Sequence, residues 1–161
     1  MTENLEFKKI ELQDQVLQVL GFSNSSVMIK DIIYGMIANF TPTTQGGRKK
    51  LQEWKRQIAI QINSNRDNRL NPNLFYAITI GMKFHPETHG NQELDLDNYS
   101  KPILDAIAAG LFSYDGDDLS SLITYNQFDD SNFRHIYLER LPDAELAEQE
   151  SVAIFITQNS L

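Results

Sequence analysis

Alternating and continuous runs of apolar residues predict five β-strands along this chain. The clearest pattern is YAITIGMKF at residues 76–84, in which every second side chain is large and apolar, so that one face of an extended strand is buried. The runs IIYGMIANF (32–40) and VAIFIT (152–157) predict largely buried strands, the second of them central in a sheet. Two more strands, 121–128 and 133–141, are expected to be joined by the turn DDSN.

Apolar residues at helical spacing predict helices in other parts of the chain. Residues 5–20 are expected to form an amphipathic helix that ends at Gly21. Residues 48–62 place four large apolar side chains on one face, which predicts a second helix. Residues 143–150 are expected to form a short acidic helix.

A further helix is expected at residues 100–112, where apolar residues from Ile103 to Leu111 form a face that packs on a core. Proline is tolerated only in the first turn of a helix, so Pro102 keeps this helix from beginning much before Asn98.

The mixture of helices and strands indicates the fold class. Helices between strands, together with a strand hairpin, are typical of an α+β fold, here a mixed β-sheet packed with helices. With 161 residues, of which 41% are hydrophobic, the chain is long enough for one domain with its own core. We expect a single domain over residues 1–161, with a helical extension at residues 1–30 and the core at residues 31–161.

Composition indicates the cellular compartment in which the protein is expected. The absence of cysteine excludes disulfides and thiolate metal sites, and it fits a reducing compartment. The first fifteen residues, MTENLEFKKIELQDQ, are polar and unlike a secretory signal, and no apolar run approaches the length of a membrane span. We therefore expect a cytoplasmic protein without a membrane partner.

The net charge of −8 argues against binding of nucleic acid by bulk attraction, but it leaves room for a local basic face. The predicted helix at 48–62 has such a face in its first half, where cations oppose the helix dipole unless an anion compensates. A DNA phosphate is one such anion, and the alternative is an ordinary solvated face. The residues concerned are Arg48, Lys49, Lys50, Lys55 and Arg56.

Two groups of aspartates flank the helix expected at 100–112. Asp95 and Asp97 are two residues apart, so in an extended chain both carboxylates point to the same side, where Mg²⁺ would relieve their repulsion. The second group, Asp115, Asp117 and Asp118, follows the helix. Since a helix of a dozen residues is roughly 18 Å long, the two groups can share a metal only if the loop or another element brings them together.

Lys101 and Asp105 are spaced as an i,i+4 pair on the same helix. The pair is either an ordinary helix salt bridge or a cation that stabilises charge on a reacting phosphate. Asp97 and Asn98 have a similar structural alternative, because either residue type commonly caps a helix N-terminus.

The sequence Asp95-Leu-Asp97-Asn98, followed by Lys101, Asp105 and a glycine-containing apolar stretch that ends in acidic residues, resembles the RusA family of Holliday-junction resolvases. The resemblance implies a RusA-like core and a magnesium-dependent endodeoxyribonuclease, with Mn²⁺ as a possible substitute. It also implies a homodimer that acts on four-way DNA junctions in recombination and repair.

The resemblance assigns roles to particular residues. It implies an acidic site formed by Asp95, Asp97 and Asp118, with Asp117 as a further metal ligand or with Asp117 or Asp115 in place of Asp118. It implies a catalytic role for Lys101. The metal would activate a water molecule and neutralise charge on the phosphate, and Lys101 would add to that electrostatic stabilisation.

This chain also departs from the family pattern. The loop HPETHGNQEL before Asp95 carries no arginine, and the chain is acidic. Two alternatives therefore stay open: a nuclease for another branched DNA, and a non-cleaving homologue that binds a metal or a partner.

Overall fold

The computed structural model describes residues 6–10, 22, 32–39, 48–85, 97–124, 131–145 and 147–158, and of residues 48, 97 and 98 only the backbone. The chain divides into two compact units. We call Met1–Thr41, Tyr76–Leu96 and Arg134–Leu161 the sheet unit, and Pro42–Phe75 and Asp97–Phe133 the helical unit. The elements are β1 (Phe7–Lys9), β2 (Ile32–Ala38), α1 (Arg48–Asn65), β3 (Tyr76–Lys83), α2 (Asp97–Phe112), α3 (Leu119–Thr124), β4 (Phe133–Arg140) and β5 (Ser151–Gln158).

The five strands form one mixed sheet in the order β1-β2-β5-β3-β4. Strands β1 and β2, β2 and β5, and β5 and β3 pair antiparallel. After β4, the amide of Leu141 donates to Met82 (2.8 Å) and that of Ala144 donates to Phe84 (2.9 Å). Both contacts advance in the same direction along the two segments, so β4 runs parallel to β3. The mixed α+β fold expected from the sequence is confirmed.

Close packing on the sheet requires a glycine in β3. Gly81 lies opposite Ala153 of β5, and a Cβ atom at residue 81 would overlap the Phe22 ring. Phe22 in turn meets Phe155 edge-on, with ring centroids 6.1 Å apart. A side chain larger than hydrogen at residue 81 would displace this aromatic pair.

In the helical unit, small residues let α1 and α2 approach each other closely. A Cβ atom at Gly110 would lie 2.7 Å from the Cβ of Ile62. Ala59 of α1, Ala109 of α2 and Ile123 of α3 form one buried cluster, which fixes the short third helix beside the last turn of α2. None of the helices in the described ranges is long and apolar enough to cross a membrane.

Most predicted elements of the core are confirmed. Strands β2, β3, β4 and β5 lie within one or two residues of the predicted bounds, and β5 is the central strand. Helix α1 continues to Asn65, three residues past its predicted end. Helix α2 begins at Asp97, which places Pro102 in the second turn rather than the first. Proline has no amide hydrogen, so this helix lacks one internal hydrogen bond.

The predicted helix at residues 5–20 is wrong where the structure describes it. Phe7–Lys9 is a strand that pairs with β2, and residues 11–20 lie outside the described residues. The N-terminal helical extension is therefore not found among residues 6–10 and 22. The apolar spacing of this segment is overridden because the edge of β2 offers backbone partners to an extended chain.

Two further predictions fail. The segment predicted as a strand at 121–128 is helical up to Thr124, because Leu119 and Ile123, four residues apart, bury the same face; residues 125–128 are not described. The predicted acidic helix at 143–150 is absent from the residues described there, which form a turn closed by the Glu148 amide and the Glu145 carbonyl.

Candidate active site

A buried carboxylate lies between two lysines where α1 packs on α2. Asp105 of α2 is 6% exposed, and its Oδ2 lies 3.6 Å from the Nζ of Lys55, which is 7% exposed. The Nζ of Lys101 lies 3.1 Å from the other oxygen, Oδ1, as an ion pair without the alignment of a hydrogen bond. The i,i+4 pair predicted from the sequence is therefore present, and it supplies two residues of a three-residue cluster with Lys55.

The two lysines and the aspartate together carry one net positive charge, and of the three side chains only that of Lys101 is largely exposed. The side chain of Lys101 is 53% exposed, while those of Asp105 and Lys55 are 8% and 9% exposed. A buried carboxylate that already faces one lysine holds the second by charge, so the reach of Lys101 is restricted. This arrangement can present one fixed ammonium group to an anion.

The C-terminus of α2 is capped by the loop after α1. The last turn of α2 has no basic residue of its own. Arg66 Nη1 donates to the carbonyls of Gly110 (2.8 Å) and Leu111 (3.0 Å), and Arg69 Nε donates to that of Phe112 (2.6 Å). Two cations at a helix C-terminus also complement its partial negative charge.

The acidic segment after α2 is folded by its own carboxylates. Asp115 accepts a hydrogen bond from Arg66 Nη2 (2.8 Å), whose side chain is 2% exposed. The Asp117 carboxylate accepts a hydrogen bond from the Tyr114 amide (2.7 Å), and the Asp117 amide donates one to the Tyr114 carbonyl (3.2 Å). Gly116, with φ of 83°, takes the left-handed conformation that this turn requires.

Asp118 is the N-cap of α3. Its carboxylate accepts the hydroxyl of Ser121 (2.9 Å) and the amide of Ser121 (3.3 Å). The Ser121 hydroxyl, followed by the backbone amides, lowers the pKa of Asp118 below its ordinary value. The side chain is exposed to solvent, and the lowered pKa keeps it ionised at neutral pH.

The structure describes the side chains of two of the four predicted metal ligands, Asp117 and Asp118. No group of three histidine, aspartate or glutamate residues within the described ranges could hold a metal ion. Asp95 and the side chain of Asp97 lie outside the described residues. Position 97 begins α2, while the bond from Asp117 to Tyr114 keeps the second acidic group at its other end, about 22 Å along the helix axis.

The chemistry of the acidic segment still fits a hard divalent cation. A carboxylate oxygen has two acceptor positions, so the hydrogen bonds on Asp117 and Asp118 leave lone pairs for an ion. Mg²⁺ binds through one or two carboxylates and keeps several waters, which suits exposed aspartates.

The predicted basic face is divided by the fold. Lys49 and Lys50 are exposed in the first turn of α1, and only the backbone of Arg48 is described. Arg56 is half-exposed and forms an ion pair with Glu53. Lys55 points inward to Asp105 and does not belong to the exposed face, because it compensates the buried carboxylate.

The sequence analysis did not identify Arg66 and Arg69, which follow α1 in the chain, as functional residues. The sequence indicates the capping role of these arginines only indirectly. Helix α2 ends in GLFSYD without a basic residue or a glycine just after it, so its last carbonyls need donors from another segment. The two arginines of NRDNR are the cations that follow α1.

A model of a known protein family matches the chain. The family model described as endodeoxyribonuclease RusA matches residues 39–137, which cover α1, β3, α2, α3 and most of β4. No curated protein matches the chain. The matched range is more than half of the chain and contains both acidic groups and the lysine cluster. The chain belongs to the RusA family of endodeoxyribonucleases, hydrolases that act on the phosphodiester bonds of DNA.

Proposed function

We propose that this protein is a magnesium-dependent endonuclease that cuts four-way DNA junctions as a homodimer during recombination and repair. The family match over residues 39–137 carries the proposal. It is supported by the net positive cluster of Lys55, Asp105 and Lys101, which presents one ammonium group beside the start of α2.

The proposed metal ligands are Asp95, Asp97, Asp117 and Asp118. When bound, Mg²⁺ supplies a water nucleophile of lowered pKa and neutralises charge on the scissile phosphate. The ionised state that Asp118 keeps through its bonds to Ser121 suits this role, because a protonated carboxyl group binds a cation poorly. Mn²⁺ prefers the same oxygen ligands and is expected to substitute.

Lys101 is proposed to stabilise the negative charge that develops on the phosphate. It lies one helical turn after Asp97, so a phosphate held near the start of α2 is within reach of its ammonium group. The half-exposed side chain can approach the phosphate while Asp105 limits its motion. A positioned cation of this kind attracts the anionic phosphate in the ground state, and it accelerates the reaction because the attraction grows as further negative charge develops in the transition state.

The length of α2 supports the proposed homodimer. Position 97 begins this helix and Asp118 follows its end, so we propose that the ion is shared between the start of α2 in one chain and the acidic segment of another. A second copy, related by a two-fold axis, can place its own acidic segment beside the start of α2, and symmetry then creates two equal sites. Two sites would cut both strands of a symmetric junction.

The exposed first turn of α1 is proposed to contact the DNA backbone. Lys49 and Lys50 provide two exposed cations, with Arg48 and Arg56 beside them in the helix. Lys55 is proposed to act only through Asp105. Since the chain carries a net charge of −8, these local cations would supply the phosphate contacts that the bulk charge does not.

The test is cleavage of a synthetic four-way junction, compared with linear duplex and with a flap substrate, with Mg²⁺ and with EDTA. We expect junction cleavage that requires Mg²⁺ and is abolished by Asp97→Asn, while the melting temperature of that variant stays close to that of the wild type. Cleavage that is unchanged in Asp97→Asn removes this residue from the site. Preferred cleavage of the flap indicates another branched substrate, and binding without cleavage indicates a non-cleaving homologue.

A further inference from the structure

Tyr114 is an exposed aromatic ring held rigidly beside the acidic segment. It is 62% exposed, the largest value among the large hydrophobic residues that the structure describes as exposed. Its amide donates to Asp117 (2.7 Å), and its carbonyl accepts Asn63 Nδ2 (3.2 Å). The backbone on which the ring is mounted is therefore fixed by α1 on one side and by the acidic segment on the other.

One face of the ring is already occupied by a cation. The guanidinium carbon of Arg69 lies 4.0 Å from the centroid of the Tyr114 ring, and Arg69 is itself held by the Phe112 carbonyl. Because Arg69 covers one face, the exposed area belongs to the opposite face and the edge of the ring. Such a stack orders the ring before any ligand arrives, so little side-chain entropy is lost on binding.

The ring borders a polar cavity of about 600 Å³, a size that suits a small ligand. Its charged side chains are two arginines and two aspartates, so their charges cancel. Because Asp115 is already paired with Arg66, the lining offers no net positive charge to attract a phosphate, and a neutral heterocycle with polar edges suits it. The lining residues are Asn63, Ser64, Arg66, Asp67, Asn68, Arg69, Tyr114 and Asp115.

We propose that the Tyr114 ring, backed by Arg69, stacks on one unpaired nucleobase of the DNA substrate at the branch point. The inference rests on the proposed function, because it takes the base from branched DNA. The stacking would add a contact to a base, whereas the basic face of α1 would supply contacts to phosphates only. Stacking on an aromatic face accepts any base, so the site favours unstacked nucleotides and not a particular sequence. Asn68, a polar residue that can donate and accept hydrogen bonds, lines the same cavity beside the ring.

The test is a cycle of binding measurements in EDTA, with a four-way junction and a matched junction that has abasic sites at the branch-point nucleotides. We expect Tyr114→Leu to weaken binding of the intact junction on the order of 5- to 150-fold, the effect of losing one stacked base. Binding of the abasic junction should be nearly the same for Tyr114→Leu and the wild type. Tyr114→Phe, which keeps the ring, should bind both junctions like the wild type.

The matched control is Phe75→Leu, which removes another exposed aromatic ring of the helical unit that does not line the cavity. It should leave both affinities unchanged. The inference is overturned if Tyr114→Leu binds the intact junction like the wild type, or if it weakens binding of both junctions equally. The wild-type protein provides a further check, because equal affinities of the wild type for the intact and the abasic junction also overturn the inference.

The failure of the proposed function gives a different result. A wild-type protein that binds and cuts no branched DNA refutes the proposed substrate. The stacking site is then judged by binding of single-stranded oligothymidine to the same variants. If only Tyr114→Leu binds the oligothymidine more weakly than the wild type, the result supports a base-stacking site. Equal affinities of all the variants and the wild type refute it.

Discussion

Removal of the Asp105 carboxylate should destabilise the fold far more than removal of either end of an ordinary helix salt bridge. Asp105→Ala leaves the ammonium group of Lys55 at 7% exposure without its counter-ion. Loss of one partner of a buried ion pair costs about 3–5 kcal/mol of the free energy of unfolding, because the remaining charge stays out of water. Lys101 is half-exposed, so its share of the cluster is at most about 1 kcal/mol.

These magnitudes separate three variants. Asp105→Ala should lose about 3–5 kcal/mol, and Lys101→Ala should lose about 0–1 kcal/mol. The double variant Lys55→Met, Asp105→Leu replaces the buried pair with apolar groups, and it should recover most of the loss because no buried charge remains. The contrast between the single and the double variant isolates the unpaired charge from the change in packing.

Urea unfolding, followed by circular dichroism, measures the three differences. With a slope of about 2 kcal/mol per molar urea, Asp105→Ala should lower the midpoint by about 1.5–2.5 M. The reasoning is refuted if Asp105→Ala lies within 1 kcal/mol of the wild type. It is also refuted if the double variant is as unstable as the single one, because the loss would then come from packing.

Three further predictions concern other parts of the helical unit. Gly110→Ala should destabilise the fold by about 1–3 kcal/mol in the same urea assay, because its Cβ atom would meet the Cβ of Ile62 at 2.7 Å; an unchanged midpoint would mean that the helices move apart freely. Ser121→Ala should raise the pKa of Asp118 toward its ordinary value in an NMR titration without metal. Because the folded pKa is lowered, the hydroxyl bond stabilises the fold above the ordinary pKa and is lost as the pH falls through the folded pKa; an unshifted titration would remove Ser121 as the cause. Replacement of Lys49 and Lys50 by alanine should weaken junction binding and reduce its dependence on salt, whereas an unchanged salt slope would exclude this face.

The core elements could be predicted because burial alone decides them. The alternation in β3 and the apolar run of β5 leave only one way to remove those side chains from water, so the sequence pattern determines the strand. The helix predicted at residues 5–20 fails because partners distant in the chain decide its structure. Phe7–Lys9 becomes a strand through Met36–Ala38 of β2, and no pattern local to residues 7–9 contains that information.

The candidate active site was likewise predictable where it depends on spacing along the chain, and not where it depends on packing. The motif from Asp95 to Asp105 identifies the family and the i,i+4 pair, since both depend on spacing along the chain. The inward turn of Lys55 could not be predicted, because only the packing of α1 on α2 reveals that its partner is buried. The capping role of Arg66 likewise depends on which loop lies beside the end of α2.

The central place of β5 determines when this protein can fold during synthesis. Both β2 and β3 pair with β5 and not with each other, so each lacks one of its two neighbouring strands until residues 151–158 have left the ribosome. Every residue of the helical unit has been translated by then, so that unit can assemble first. A truncated product that stops before β5 would expose two apolar strand edges, which are sites for aggregation and for recognition by chaperones.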